Sequence, residues 1–212
     1  MDLKNMENKQ WIGNKIRLEP LELIHTEGLA LAAEGNQELF RWTVVPQGVE
    51  AMTQYVQSAI EQRNAGTGLP FVIISNDDGA IKGSTRFWNI AYWPWPSQTS
   101  EFGRTAPDVC EIGHTWLTAS AVKTGINTEV KFLMLKYAFQ YWKVWRVNFT
   151  TDVRNQQSRR AIERLGAKFE GVIRAERMGA DFTVRDSARF SILLSEWSEV
   201  EARLQNYMQS YN

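Results

Sequence analysis

The residues best placed to do chemistry lie between His114 and Asn155: a β-like run "HTWLT", a polar turn "ASAVKTGIN", a long amphipathic helix, a second run "RVNFTT", and then Asn155. A strand that stops just before a glycine-started helix aims unpaired backbone N–H groups and the positive end of a helix dipole at one point, which suits a phosphate or pyrophosphate. At the helix start Thr124 is suited to cap, Gly125 lets backbone approach a ligand closely, and Asn127 and Thr128 add short polar side chains. The same glycine could also do no more than start a core helix. No Lys-Ser or Lys-Thr pair follows it, and GxGxxG is absent, so a nucleotide-cleaving P-loop and a dinucleotide fingerprint are both disfavoured. A coenzyme site is the first expectation.

The elements around this unit follow from periodicity. Ile126, Val130, Leu133, Met134, Tyr137, Ala138 and Tyr141 recur at three-and-four spacing and predict a buried helical stripe, with Lys131, Lys136 and Gln140 on the other face. Strands are expected at 15–21, 70–75, 80–90, 109–117, 146–151, 167–177 and 183–194, and helices at 23–33, 49–64, 155–165 and 196–207. "NDDG" reads as a hairpin turn, because Asp and Gly tolerate positive φ. On the strand 109–117, strict alternation puts Cys110, Ile112, His114 and Trp116 on one face and Glu111, Gly113 and Thr115 on the other. Leu29, Leu31 and Ala32 are the expected packing residues of the first helix. The segment 91–108, "AYWPWPSQTSEFGRTAPD", breaks periodicity and reads as a long loop beside a site or as an oligomer contact, leaving room for a homodimer or larger homo-oligomer. The result is an α/β (α+β) class chain with a mostly antiparallel sheet and helices on both faces, forming one domain over 1–212 with a flexible stretch at 1–10.

Composition narrows the function. With 212 residues and 43% hydrophobic content the chain can bury a sizeable core. Lys+Arg 24 against Asp+Glu 24 leaves no net charge, so neither DNA nor another partner needing a broad basic surface is indicated. One cysteine, Cys110, cannot form an internal disulfide, and with only His25 and His114 no zinc spacing exists; no metal is expected. "MDLKNMENKQ" lacks the apolar core of a signal peptide and no run is long enough to cross a bilayer, which points to the cytoplasm.

The ordered segments "IRLEPL", "EIGHTWL", "KTGINTEVKFLMLKYAF", "RVNFTTDVRNQQSRRAIERLGAKFEGVIR" and "RDSARFSILLSEW" resemble the GNAT acyl-CoA N-acyltransferases, and within them the ribosomal-protein N-terminal acetyltransferase (RimJ/RimL-like) group, over nearly the whole chain. The resemblance implies the GNAT fold, a central mixed, mostly antiparallel seven-stranded sheet splayed between strands 4 and 5. It also implies acetyl-CoA as co-substrate. The pantetheine arm would lie in the splay against backbone groups of Trp116, Leu117 and Thr118, the pyrophosphate on Val122, Lys123, Thr124, Gly125, Ile126 and Asn127, and Asn155 would contact the cofactor arm. Arg159, Arg160 and Arg164 are placed to meet the adenosine 3′-phosphate, with Arg160 and Ser158 counted among the cofactor contacts; a solvated helix face paired with Glu163 is the plain alternative.

Two positions depart from the family pattern. Its phosphate loop, commonly Gln/Arg-x-x-Gly-x-Gly/Ala, here has Val122 first and Asn127 last, leaving Lys123 as the nearby cation, and its frequent tyrosine acid falls on Ile162. Ser158 is what remains as an acid for the departing thiolate. Glu111, on the strand lining the family's acceptor cleft, is the first candidate base and His114 the second, each with an ordinary structural role as its alternative. Cys110 reads as a buried small hydrophobe. An α-amino group titrates near ~8 and needs little help from a base, whereas a lysine amine near ~10.4 needs one, so a protein or peptide N-terminus is the expected acceptor. Polyamine, aminoglycoside or amino-acid acceptors, and a catalytically degenerate acyl-CoA-binding protein, are the alternatives; the neutral charge argues against a nucleic-acid module.

Overall fold

The computed structural model describes residues 10–35 and 37–210, so the flexible stretch expected at 1–10 lies, apart from Gln10, outside the described residues. The chain runs β1 (Trp11–Ile12), β2 (Ile16–Pro20), α1 (Thr26–Ala33), α2 (Val49–Asn64), β3 (Leu69–Ser75), β4 (Ile81–Ala91), β5 (Val109–Leu117), α3 (Ile126–Lys136), β6 (Arg146–Asp152), α4 (Gln156–Arg164), β7 (Lys168–Met178), β8 (Val184–Leu193) and α5 (Trp197–Gln209). Each expected strand and helix is present within a few residues of its expected bounds. The sheet has eight strands rather than seven, in the order β1-β2-β3-β4-β5-β6-β8-β7. The extra member is two residues long: Trp11 pairs with Leu18, and its ring lies against Phe71 and Tyr137. Too short to show alternation, it is held by that aromatic packing.

Two cores form, one on each face. Phe71, Phe87, Cys110, Ile112, Val147, Phe149 and Phe190 pack under α3, α4 and α5, while Val72, Ile74 and Trp116 pack under α1 and α2 with Leu29, Met52 and Val56. The first helix departs from expectation at one position: Leu31 is 70% exposed, and Leu29, Ala30 and Ala33 supply the contact instead. A 3-10 turn at Leu23–His25 precedes α1 and shifts its phase.

The long helix also departs from expectation at two positions. It passes into a π-helical turn, Tyr137–Trp142, which rotates the later residues, so that Tyr141 is 61% exposed and Phe139 is buried. Lys131, expected on the outer face, is 5% exposed. Its ammonium nitrogen donates to the hydroxyls of Thr115 (2.5 Å) and Thr85 (3.3 Å), which are themselves 2.8 Å apart. Burial pushes this amine down to about 7.

The segment 91–108 is ordered by buried Asp108. Its carboxylate accepts from the Trp93 backbone N–H (2.7 Å) and the Trp95 indole N–H (2.8 Å) and meets Arg104 at 3.3 Å, while Arg104 donates to the carbonyls of Pro107 and Lys143. The tryptophans pack beside Trp145, where β5 and β6 begin. Thus the loop closes the paired end of the sheet. Asp108→Ala would remove the buried acceptor that three groups share and is expected to cost ~3 kcal/mol, lowering the melting midpoint by roughly 6–12 °C in a thermal denaturation series.

Candidate active site

β5 and β6 run parallel and are paired only from Val109↔Arg146 to Glu111↔Asn148. From Ile112 onward, β5 has no partner strand on its β6 side, and the two strands part into the V expected between strands 4 and 5 when the two-residue β1 is not counted. At the apex β5 bulges. The β4 register slips by one residue between Ser84↔Trp116 and Arg86↔Gly113, and His114 takes a positive φ of 50°. The bulge overturns the expected alternation: Cys110 and Ile112 face α3, but Trp116 lies in the opposite core beneath α1 and α2, while Thr115 turns to Lys131. A single inserted residue reverses the side of every later one.

Beyond the V, the 3-10 turn Ala119–Ala121 leads into the loop with Val122 and Lys123. Thr124 was expected as the cap, but the capping position belongs to Gly125, which has φ 89°. The Thr124 hydroxyl donates to the Ala121 carbonyl at 2.7 Å, bracing the loop, and still accepts from the first helical amide, that of Ile126. Glu129 N–H to the Gly125 carbonyl is the first bond of α3; the Ile126 amide is met by the Thr124 hydroxyl at 3.4 Å, and the amides of Asn127 and Thr128 point out of the helix end. This cradle lies just past the open end of β5, where the resemblance puts the pyrophosphate. Of the three arm residues, Thr118 has its N–H committed to the Lys82 carbonyl (2.8 Å), and Trp116 and Leu117 pair with Ser84 and Gly83, which leaves their β6-side edge for a ligand. On α4, Asn155 caps by accepting the Ser158 N–H at 2.9 Å. Arg160 is exposed and folds back on the Gln156 carbonyl, whereas Arg164 reaches the Thr128 hydroxyl at the start of α3. Ile162 is buried in the core.

The opposite side of the V carries the acid–base candidates. Glu111 is 1% exposed; one carboxylate oxygen accepts from Asn89 Nδ2 (3.1 Å), and Oε1 has no hydrogen-bond partner among the described residues. His114 sits on the bulge, its ring edge-on to Trp88 with centroids 4.8 Å apart. Crowding by surrounding protein, and then repulsion from Arg86, Arg177 and Arg185, lower its imidazole from the ordinary value, while the residue itself is exposed at the surface of the site. It is neutral at physiological pH. Cys110 is fully buried and its thiol is pushed up by desolvation and by Glu111, as fits a small hydrophobe.

This face is polar to an unusual degree for a buried one. Arg86 Nε and Nη2, Trp88 Nε1, Glu111 Oε1, Thr150 Oγ1 and Arg189 Nε are buried without a hydrogen-bond partner among the described residues. Such groups cost free energy unless a ligand or water meets them. Arg86, Trp88, Asn89, Arg177 and Arg185 were not singled out from the sequence, since their significance comes from the pairing of β4 with β5 and of β7 with β8. The alternation of Arg185, Ser187 and Arg189 was the one available signal. A surface groove of about 470 Å³ between α1 and α2, lined by Leu23, Ile24, Val49, Thr53 and Gln57, holds none of these groups. Among the described residues no group of three His, Cys, Asp or Glu is arranged to hold a metal ion, and no helix is long and apolar enough to cross a membrane.

Comparison with known proteins agrees with this geometry. The structure superposes on a GCN5-related N-acetyltransferase from Brucella melitensis at 27% identity and TM-score 0.79, covering 94% of this chain and 85% of that one. Two further solved structures share the fold. Mycobacterium smegmatis RimJ in complex with CoA-disulfide has 20% identity and TM-score 0.74, covering 91% and 88% of the two chains. Ribosomal-protein-S5-alanine acetyltransferase from Vibrio fischeri has 15% identity and TM-score 0.70, covering 90% and 99%. No curated protein matches in sequence. Residues 15–168 match the model of the acetyltransferase (GNAT) domain, and on that match the chain belongs to the GNAT acetyltransferase family.

Proposed function

We propose that the protein is an acetyl-CoA-dependent N-acetyltransferase that acts as one domain in the cytoplasm and moves an acetyl group directly to a primary amine, with a protein or peptide N-terminal α-amine as acceptor. The observation that carries the reading is the V between β5 and β6, which opens toward the outward-pointing amides of Asn127 and Thr128. These residues fit coenzyme A. The cradle suits a diphosphate, the unpaired edge of Trp116 and Leu117 suits the amide-bearing arm, and Lys123 and Arg164 supply positive charge at its rim. The ribosomal-protein acetyltransferases that share the fold support the N-terminal acceptor.

Acetyl-CoA supplies an activated thioester carbonyl. The chain's task is then to hold a neutral amine in line with that carbonyl and to take up the proton the nitrogen releases. Backbone N–H groups at the bulge stabilise the negative charge that develops on oxygen. Glu111 takes the amine proton through its unpartnered Oε1, directly or by way of a water. The C–S bond breaks as the C–N bond forms, and Ser158, at the first turn of α4, is the group we assign to return a proton to the thiolate. His114, held neutral by its surroundings, is a weak base and is assigned to positioning.

Thiol release from acetyl-CoA across a panel of N-terminal peptides, polyamines, aminoglycosides and amino acids tests this reading; no acceptor giving turnover would end it. A second test addresses the cradle. Gly125→Val forces a β-branched residue to φ 89° and puts two methyl groups beside the amides, so strain of ~1–3 kcal/mol should raise the acetyl-CoA KM about tenfold or more. An unchanged KM would move the diphosphate elsewhere.

A further inference from the structure

Three guanidiniums converge where the acceptor would sit. Arg86 lies across the sheet from Gly113, immediately before His114, and is 2% exposed. Its Nη1 donates to Gln62 Oε1 at 3.0 Å and its plane lies 4.8 Å from the Tyr55 ring, but Nε and Nη2 are buried without a hydrogen-bond partner among the described residues. Arg177 and Arg185 are directly opposite one another on β7 and β8, a like-charge cross-strand pair that destabilises a sheet when nothing offsets it. Arg177 lies over Trp88 at 5.1 Å, and Trp88 packs edge-on to His114, so this pair and Arg86 flank the same imidazole. All three push its proton affinity down.

The acids nearby are already engaged. Glu176 meets Arg177 Nε at 3.3 Å, Asp152 is bound by Arg154 at 2.7 Å, and Glu111 accepts from Asn89. Arg185 donates its Nε to the Ser187 hydroxyl, a neutral partner. Asp152, Glu176 and Glu111 also act favourably on Arg185, so the charge left without an anion is that of Arg86: an arginine does not shed its proton to escape burial, and this one is 2% exposed with Nε and Nη2 unpartnered among the described residues. The field at His114 is therefore positive, and it is set into a face whose buried polar groups lack protein partners.

We propose that the amine acceptor carries an oxyanion, a carboxylate or a phosphate, within a few bonds of its amine, and that Arg86, Arg177 and Arg185 receive it beside His114 while Glu111 meets the amine. The inference rests on the acetyl-transfer reading for the amine but not for the anion. It makes the acceptor zwitterionic in solution: an amine end, which sheds its ammonium proton to water before it reaches Glu111, and an anionic end that fixes its orientation. A polyamine would be repelled.

The experiment compares acceptors differing only in the anion: the tripeptide amides Ala-Glu-Ala and Ala-Gln-Ala for a carboxylate, and phosphoethanolamine with ethanolamine for a phosphate. The wild-type enzyme should prefer the anionic member of at least one pair by about tenfold or more in kcat/KM, and the pair that shows it identifies the source. In Arg177→Gln and Arg185→Gln the ratio should fall toward one, while the lysine variants keep part of it; the acetyl-CoA KM should stay that of wild type, which separates this anion site from the diphosphate cradle. Equal use of both members of both pairs, or a ratio that survives both glutamine variants, overturns the proposal. If no amine is acetylated, the acetyl-transfer reading fails by itself. The anion site is then judged by thermal shift with saturating coenzyme A: inorganic phosphate or succinate should raise the melting midpoint of wild type and not of Arg185→Gln, and no shift in wild type overturns it.

Discussion

Glu111→Gln is expected to slow acetyl transfer by on the order of 10²-fold in kcat while leaving the acetyl-CoA KM near its wild-type value. The substitution keeps shape and volume, and Asn89 Nδ2 can still donate to the side-chain oxygen, so the bulge and the V survive it. What disappears is the proton acceptor. Oε1, buried and without a hydrogen-bond partner among the described residues, becomes either an amide oxygen of little basicity or an NH2 group. The size of the loss should depend on the amine. An acceptor of amine pKa near ~8 is partly neutral at pH 7.5 and should lose less than a lysine-like amine near ~10.4, and raising the pH should rescue the first before the second. A pH profile of kcat/KM for both variant and wild type reads this directly. His114→Gln provides the contrast: a neutral imidazole of low basicity offers little general-base catalysis, so its replacement should change acceptor KM more than the pH profile. If the histidine variant instead abolishes pH dependence and the glutamine variant is active, the base has been assigned to the wrong member of the strand.

Much of the fold was legible in the residues, for reasons that can be located. The period-3.6 stripe of α3, the turn residues of "NDDG" and the Asn155 cap of α4 are local signals, and the structure keeps each of them. The opening between β5 and β6 was legible by resemblance. What remained hidden depends on single-residue insertions that no local period reveals. The bulge at His114 sent Trp116 to the other core, and the π-helical turn after Lys136 moved Tyr141 out and Phe139 in. The site was only half legible for a related reason. Its cofactor side is built from consecutive residues, Val122 to Asn127, whereas its acceptor side is assembled from β4, β5, β7 and β8, whose register sets which arginines meet. Neutral overall composition concealed that local field, since 24 cations and 24 anions say nothing about which of them share a face.

Lys131→Met is expected to stabilise the protein near pH 6 and to remove a pH dependence that the wild type carries. The lysine amine is buried against two threonine hydroxyls, Thr85 and Thr115, and desolvation brings it down to about 7 from an ordinary 10.5. The folded state therefore holds fewer protons than the unfolded state between about 7 and 10.5, which makes stability rise with pH across that window by about 1.4 kcal/mol per unit. Below about 7 both states are protonated and the burial penalty is present in full, on the order of several kcal/mol. Methionine has nearly the same length, needs no proton, and would lie near Met134, while Thr85 and Thr115 still satisfy each other at 2.8 Å. The difference in melting midpoint between variant and wild type should thus be largest at pH 6 and shrink by roughly 3–6 °C per unit from pH 7 to 9. Because Thr115 is the residue after the bulge, the same variant also asks whether the strut matters for catalysis. Loss of turnover with a gain in stability would mean that the chain retains a costly buried amine to hold β5 in its splayed shape; parallel melting curves at every pH would show instead that Lys131 titrates as an ordinary lysine.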